Sequence, residues 1–284
     1  MAPDSASTYD FAIRSINDRS VELRGKTIVI KFGGELVDDA KLIASLAQDV
    51  LALSEIGVRL VLCHGGGPQI SKELARSGVE PKFHRGQRIT DEFTLLTTCR
   101  ILRGEINAKI VSLINRAAPI AVGLSGVDGG LFEVDRADPA LGWVGEVRSV
   151  RTGVVNALCD AGYIPVVASI SAGHDAQLFN INADFAASAL AGALQADQLM
   201  LFTNVEGLYR SFPDKASIIK SISASELSSL LPSLESGMVP KVQAALRALE
   251  SGASKVRILD GRDPHAVVNS LSHDGAKGTI IERG

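Results

Sequence analysis

Apolar residues along this chain follow two alternating patterns. Continuous, β-branched runs recur at 27–32 (TIVIKF), 58–64 (VRLVLCH), 120–124 (IAVGL), 163–170 (YIPVVASI), 199–205 (LMLFTNV) and 255–260 (KVRILD). Runs without polar alternation suit strands covered on both faces, as in a parallel sheet. Between them lie helical periods. Leu42, Leu46, Val50 and Leu53 share a face, with Asp38 or Asp39 as the N-cap and Gly57 as the stop. In VPKVQAALRALESG, Val242, Leu246 and Leu249 share another, and Gly252 ends it. Strands alternating with helices predict an α/β fold with a largely parallel sheet. Residues 131–150 break the rhythm and predict short strands and turns, a hairpin excursion from that sheet. Residues 1–24 precede the first strand. There Tyr9, Ile13 and Ile16, with Ser7 or Thr8 as a cap, predict a short amphipathic helix. Such a helix needs a partner surface, on its own subunit or on another.

Composition narrows the class. The chain has 284 residues, 46% of them hydrophobic, and a net charge of −3, enough for one large domain or two lobes. That balance offers no basic stripe for nucleic acid. No run approaches the ~20 apolar residues of a membrane span, and MAPDSASTYD lacks the pattern of a secretory signal. The three cysteines, Cys63, Cys99 and Cys159, form no CxxC, so a reducing cytoplasm is expected. Cys63, inside an apolar run, reads as a buried, inert thiol. The five histidines show no ligand spacing, and no protein metal site is expected.

The candidate chemistry sits at strand ends. Glycine-rich loops follow the runs at KFGGE (31–35), HGGGPQI (64–70) and GLSGVDGG (123–130). None matches GxxxxGK[ST], GxGxxG or GxSxG. Three consecutive glycines cost conformational entropy and contribute no packing, which predicts a ligand close to the backbone. Ligands of open α/β sheets lie beyond the carboxyl ends of strands, where exposed N–H groups and helix N-termini favour anions. Lys31, beside its glycines, reads as a phosphate ligand ahead of a snorkelling lysine. Asn180, Asn182 and Asp184 in NINAD precede an alanine-rich helix. Asp184 alone would read as a cap, but the alternating asparagines form a polar face that a cap does not need. Lys241 stands at a helix start, against the dipole, where an anion would compensate it. His64 reads as a strand-end hydrogen-bonding residue.

In this order KFGG, HGGGPQI, GQRITD, NINAD, NVEGLY and GMVPKV resemble the amino-acid kinase family, from about Gly25 to the C-terminus. The resemblance implies an open αβα sandwich around a mainly parallel sheet, with two lobes in one domain. Residues 1–24 would be a helical extension. About 25–175 would form the amino-acid substrate lobe and about 176–284 the ATP lobe. It implies ATP-dependent phosphorylation, with Mg²⁺, of the γ-carboxylate of N-acetyl-L-glutamate. Alternatives are another acidic or N-acyl amino acid, or a catalytically silent sensing module on the same fold. By the same resemblance Lys31 and Lys241 contact the transferring phosphoryl group, and Asp184 holds both. Gly33, Gly34, Gly65 and Gly66 supply backbone donors, the first pair toward ATP and the second toward the substrate. Arg88, Asn180 and Asn182 bind the substrate. Thr203, Val205, Gly207, Leu208 and Tyr209 line the nucleotide site.

The chain departs from the usual family pattern at Glu35, Gln87, Val127, Phe185 and Ser188, and Gln87 bears on the acyl pocket. The resemblance further implies a homodimer. In arginine-sensitive members an N-terminal helix pairs dimers into a hexamer, which implies inhibition by L-arginine with the segment around Glu282 contributing.

Overall fold

The computed structural model describes residues 5–84, 86–235, 237–272 and 277–284. The apolar runs form one eight-stranded sheet. Its spatial order is Ser221–Ser223, Thr279–Glu282, Lys255–Asp260, Gln198–Thr203, Thr27–Phe32, Arg59–His64, Ile164–Ala168 and Ala121–Ser125. Every pairing is parallel except Lys255–Asp260 with Thr279–Glu282. Helices cover both faces, so each strand divides its side chains between two cores. Ile28, Ile30 and Phe32 enter one with Leu46, Val50, Leu53, Ile106 and Ile110. Val29, Val61, Cys63, Leu199 and Leu201 enter the other, under the helices Ala183–Ala193 and Val239–Ser251. The two-residue period of a strand then places Lys31 on the face of Val29. That is the face carrying the other two candidate charges.

The helix Ala40–Glu55 starts at Asp39, whose carboxylate accepts from the Lys41 and Leu42 N–H groups. Of the two candidate caps, the structure uses Asp39. The run expected at 163–170 divides at Ser169 into Ile164–Ala168 and Ile170–Ala172. The second piece leaves the main sheet. It joins Leu178–Ile181, Val144–Val150 and Phe132–Arg136 in a small closed barrel. The hairpin expected at 131–150 is thus half of that barrel.

The N-terminal helix runs Ser5–Asp18, so Ser7 and Thr8 lie within it rather than at its cap. Residues 1–4 of the extension lie outside the described residues. The helix packs on its own subunit. Ala12 and Ile16 are fully buried, and the Tyr9 ring lies 3.8 Å from that of His265, just before the helix Ala266–Leu271. His265 is in turn anchored by Asp49, Nδ1 to Oδ1 2.7 Å. No described helix is long and apolar enough to cross a membrane.

Candidate active site

The carboxyl ends of Thr27–Phe32, Arg59–His64 and Gln198–Thr203 open on a cleft of about 600 Å³. Its floor holds three charges. Lys31 Nζ lies 2.9 Å from Asp184 Oδ1, and Lys241 Nζ lies 3.2 Å from Asp184 Oδ2. Burial alone would raise the Asp184 carboxyl, but the ammonium groups of Lys31 and Lys241 overcome it and hold it at about 2. Lys241 is lowered, by burial first and then by the like charge of Lys31, while Asp184 opposes both. One carboxylate therefore fixes two cations side by side, leaving a net positive floor that attracts an anion.

Two helix N-termini add to that field. Gly66 precedes the helix Gly67–Arg76 and Met238 precedes Val239–Ser251, and neither offers a side-chain cap. At the first, the Gly67 N–H lacks an intrahelical partner and favours an anionic oxygen, whereas at the second the Val239 N–H already donates to the Glu235 carbonyl at 3.3 Å and Pro240 has no N–H to offer. The third helix at the cleft, Ala183–Ala193, is capped by Asn182, whose Oδ1 accepts from the Asp184 and Phe185 N–H groups at 2.8 and 3.4 Å. Asn182, not Asp184, is the cap, which leaves Asp184 free to face the lysines.

The glycines divide into two kinds. A Cβ on Gly33 or Gly67 would meet nothing within 4 Å, so no protein atom requires glycine there. Gly34 has no room for a Cβ because Gln69 Oε1 occupies the space. The Gln69 Nε2 donates to the Gly34 carbonyl at 2.7 Å, tying the two glycine loops together. Gly66 is filled from behind by the side chains of Ile106 and Leu102, which would collide with a Cβ. The triplet is therefore only partly a matter of ligand approach, because packing accounts for Gly66. Among the four expected backbone donors, the Gly65 N–H is already spent on the Phe32 carbonyl at 3.2 Å. Gly33→Ala should leave the melting temperature unchanged while weakening the binding of an anionic ligand in the cleft. Gly34→Ala should cost about 1–3 kcal/mol of stability because Gln69 must move. Thermal melts and binding titrations of the two variants check this contrast.

Arg88 is buried beside the Gly67–Arg76 helix. Its Nη2 donates to the Gly67 carbonyl at 2.9 Å and to Ser71 Oγ at 2.8 Å, and its guanidinium lies 4.7 Å from the Phe83 ring centre. Nη1 is buried without a partner among the described residues, and Arg88 lines the cleft. That nitrogen is free to donate to an anionic oxygen of a ligand, carboxylate and phosphate alike. Asn180, also lining the cleft, donates to Thr90 Oγ1 at 3.2 Å.

The nucleotide-side expectations separate. Gly33, Gly34, Thr203 and Lys241 line the cleft. Val205, Gly207, Leu208 and Tyr209 do not. Leu208 and Tyr209 are buried in a ladder with Ile218 and Ile219, and the Leu208 N–H donates to Thr279 Oγ1. Their place is explained by apolar burial. Asn204, Gly261 and Arg262 line the cleft instead. Arg262 is held by a fork to Asp260, at 2.9 and 2.6 Å. The signal for it was the strand-end charge in KVRILDGRD, downstream of the motifs. Glu35 and Gln87 are cleft residues, whereas Val127 and Phe185 are not. Ser188 instead links two helices by donating to the Ala244 carbonyl.

The profile of the amino acid kinase family matches residues 26–260. The acetylglutamate kinase of Acidothermus cellulolyticus is 43% identical over 268 residues, 90% of this chain and 90% of the relative. That of Corynebacterium glutamicum is 41% identical over 265 residues, 91% of this chain and 90% of the relative. A solved N-acetylglutamate synthase from Neisseria gonorrhoeae, complexed with coenzyme A and N-acetyl-glutamate, superposes with a TM-score of 0.84 at 26% identity. It covers 99% of this chain, which spans 64% of the synthase's length. The same synthase with coenzyme A and L-arginine gives a TM-score of 0.81 at 26% identity, covering 96% of this chain and 65% of that one.

Proposed function

The chain belongs to the amino acid kinase family, and on that premise we propose that it transfers the γ-phosphoryl group of ATP to the γ-carboxylate of N-acetyl-L-glutamate. The reaction is a step of arginine biosynthesis. The observation that carries this reading is the Lys31–Asp184–Lys241 cluster in the cleft that the uncapped N-terminus of the helix Gly67–Arg76 also lines. A γ-carboxylate is already ionised at neutral pH, so its attack needs no general base. The obstacle is repulsion between two anions, and catalysis is positioning plus charge stabilisation. Lys31 and Lys241 flank the transferring group, and Asp184 keeps both in place. The Gly33 and Gly66 amides meet phosphate oxygens, and Arg88 takes the substrate's carboxylate. Asn180 and Asn182 complete the substrate side.

Residues 25–175 chiefly serve the amino acid and residues 176–284 chiefly ATP. The pairing of Thr27–Phe32 with Arg59–His64 on one edge and with Gln198–Thr203 on the other supports this division, since it joins the two segments within one sheet. Among the described residues no three His, Cys, Asp or Glu side chains gather around a metal position, and Asp184 is committed to two lysines. The donor set therefore fits a Mg²⁺ ion held through the nucleotide's own phosphate oxygens, where it would offset their charge. Hydroxamate trapping with MgATP tests the reaction against N-acetylglutamate, glutamate and aspartate. Product with N-acetylglutamate alone is the expected result, and product only with another acid overturns the substrate assignment.

The proposal extends to a cytoplasmic homodimer that the N-terminal helix pairs into a hexamer inhibited by L-arginine. Phe11, half exposed on that helix, supports a further contact, as does the arginine complex of the structurally similar synthase. Glu282 is held by Lys255 at 3.1 Å, near the C-terminus. Deleting residues 1–18 should yield active dimers insensitive to arginine. A full-length dimer by light scattering, with activity indifferent to millimolar arginine, would defeat this extension and leave the kinase reaction untouched.

A further inference from the structure

His64 is completely buried at the end of its strand and has no place in the reaction described above. Its surroundings decide its protonation. Asn107 Nδ2 lies 2.8 Å from the Val166 carbonyl and 3.0 Å from His64 Nε2. A carbonyl can only accept, so the atom facing Val166 is the amide nitrogen, and it donates toward the imidazole as well. Nε2 is then the acceptor, and the ring proton sits on Nδ1, 3.1 Å from the Gly65 carbonyl. Burial pushes the imidazole down to about 4, so this neutral tautomer persists at neutral pH. The Gly65 carbonyl is thus drawn inward by an N–H donor. In a trans peptide the C=O and the following N–H point in opposite directions. Holding the Gly65 oxygen toward the core turns the Gly66 N–H away from it, and Gly66 lines the cleft. Among the described residues that N–H has no acceptor.

The segment Arg100–Asn107 that carries Asn107 is π-helical, set within the longer helical stretch 92–115. Such departures from α-helix concentrate at functional sites. Here the same segment also presses Leu102 and Ile106 against Gly66. Gly123, in a strand of the main sheet, makes room for it, since a Cβ there would collide with Asn107 Oδ1.

We propose that Asn107 and His64 are positioning residues that, through the Gly65–Gly66 peptide, aim the Gly66 N–H at the anionic oxygens of the reacting groups. The proposal rests on the phosphoryl-transfer reading of the cleft. It separates two substitutions of similar polarity. An asparagine amide overlays the Nδ1 position of histidine, and a glutamine amide reaches the Nε2 position. His64→Asn keeps the donor to Gly65 and should hold kcat within about threefold. His64→Gln loses that donor and should lower kcat at least tenfold or so, with both KM values nearly unchanged, because an aimed N–H matters most in the transition state. Equal losses in the two variants, or a loss confined to KM, would overturn the proposal.

A second route does not touch the histidine. Asn107→Ala and Gly123→Ala should each lower kcat, and the double variant should match Asn107→Ala alone, because the Gly123 methyl acts only by displacing Asn107. Additive losses would refute it even if the His64 variants fail to fold. Wild-type protein inactive in hydroxamate trapping would instead remove the underlying kinase reading.

Discussion

Lys241→Ala is expected to lower kcat by about 10²–10³-fold, the range found when one preorganised donor to transition-state charge is removed. The lysine is mostly buried and already paired with Asp184 at 3.2 Å. Burial and Lys31 work against its charge, and Asp184 supports it. A cation held at that cost gains most when negative charge spreads over the transferring phosphoryl oxygens. The loss should therefore fall on kcat, with smaller changes in KM, and the melting temperature should hold because Lys31 still neutralises Asp184. Single-turnover rates with MgATP and N-acetylglutamate measure the effect directly. An unchanged rate would remove Lys241 from the chemistry.

Asp184→Asn should be equally damaging to turnover and, unlike the first, should also lower stability. It leaves two ammonium groups in a buried site without their shared counter-ion, which costs about 3–5 kcal/mol when one partner of a buried pair is removed. Adding Lys31→Met should recover much of that stability by deleting one stranded charge, yet recover no activity. Acid titration supplies an independent signature. The Asp184 carboxyl lies at about 2 in the fold against 3.8 for an unperturbed group. A depressed carboxylate contributes stability that is complete above the unfolded value and lost as pH falls through the folded one. For this residue, only 6% exposed, the contribution is about 2 kcal/mol. Wild-type melts should lose that increment between pH 3.8 and about pH 2, and the Asp184→Asn protein should not. Parallel acid profiles for the two proteins would show that the ion pairs carry no such linkage.

Much of the frame was readable from local pattern. Strand runs and helical periods depend on neighbours two to four residues apart, and that spacing survives in any fold that buries the apolar face. Hence the strands Thr27–Phe32 and Lys255–Asp260 and the helix ending at Gly252 stand where the pattern put them. Ser169 is different. No local feature of YIPVVASI marks the point where the chain leaves the main sheet, because the break is set by pairing with Leu178–Ile181 and Phe132–Arg136.

The sequence by itself determined the α/β class, the strand-end glycine loops and the two lysines and one aspartate worth suspecting. A lysine within an apolar strand, or at a helix start against the dipole, is unfavourable locally and so stands out along the chain. Only the tertiary structure decided what each of those residues meets. It put Lys31 and Lys241 on one carboxylate and assigned the cap to Asn182. It turned Leu208 and Tyr209 inward while bringing Arg262 to the cleft. It also gave Gly34 and Gly66 a packing reason in Gln69, Leu102 and Ile106. The physical reason is sequence separation. His64 and Asn107 are 43 residues apart, and a hydrogen bond between them leaves no period, cap or breaker along the chain. Their partnership exists only once the π-helical segment is packed against the sheet.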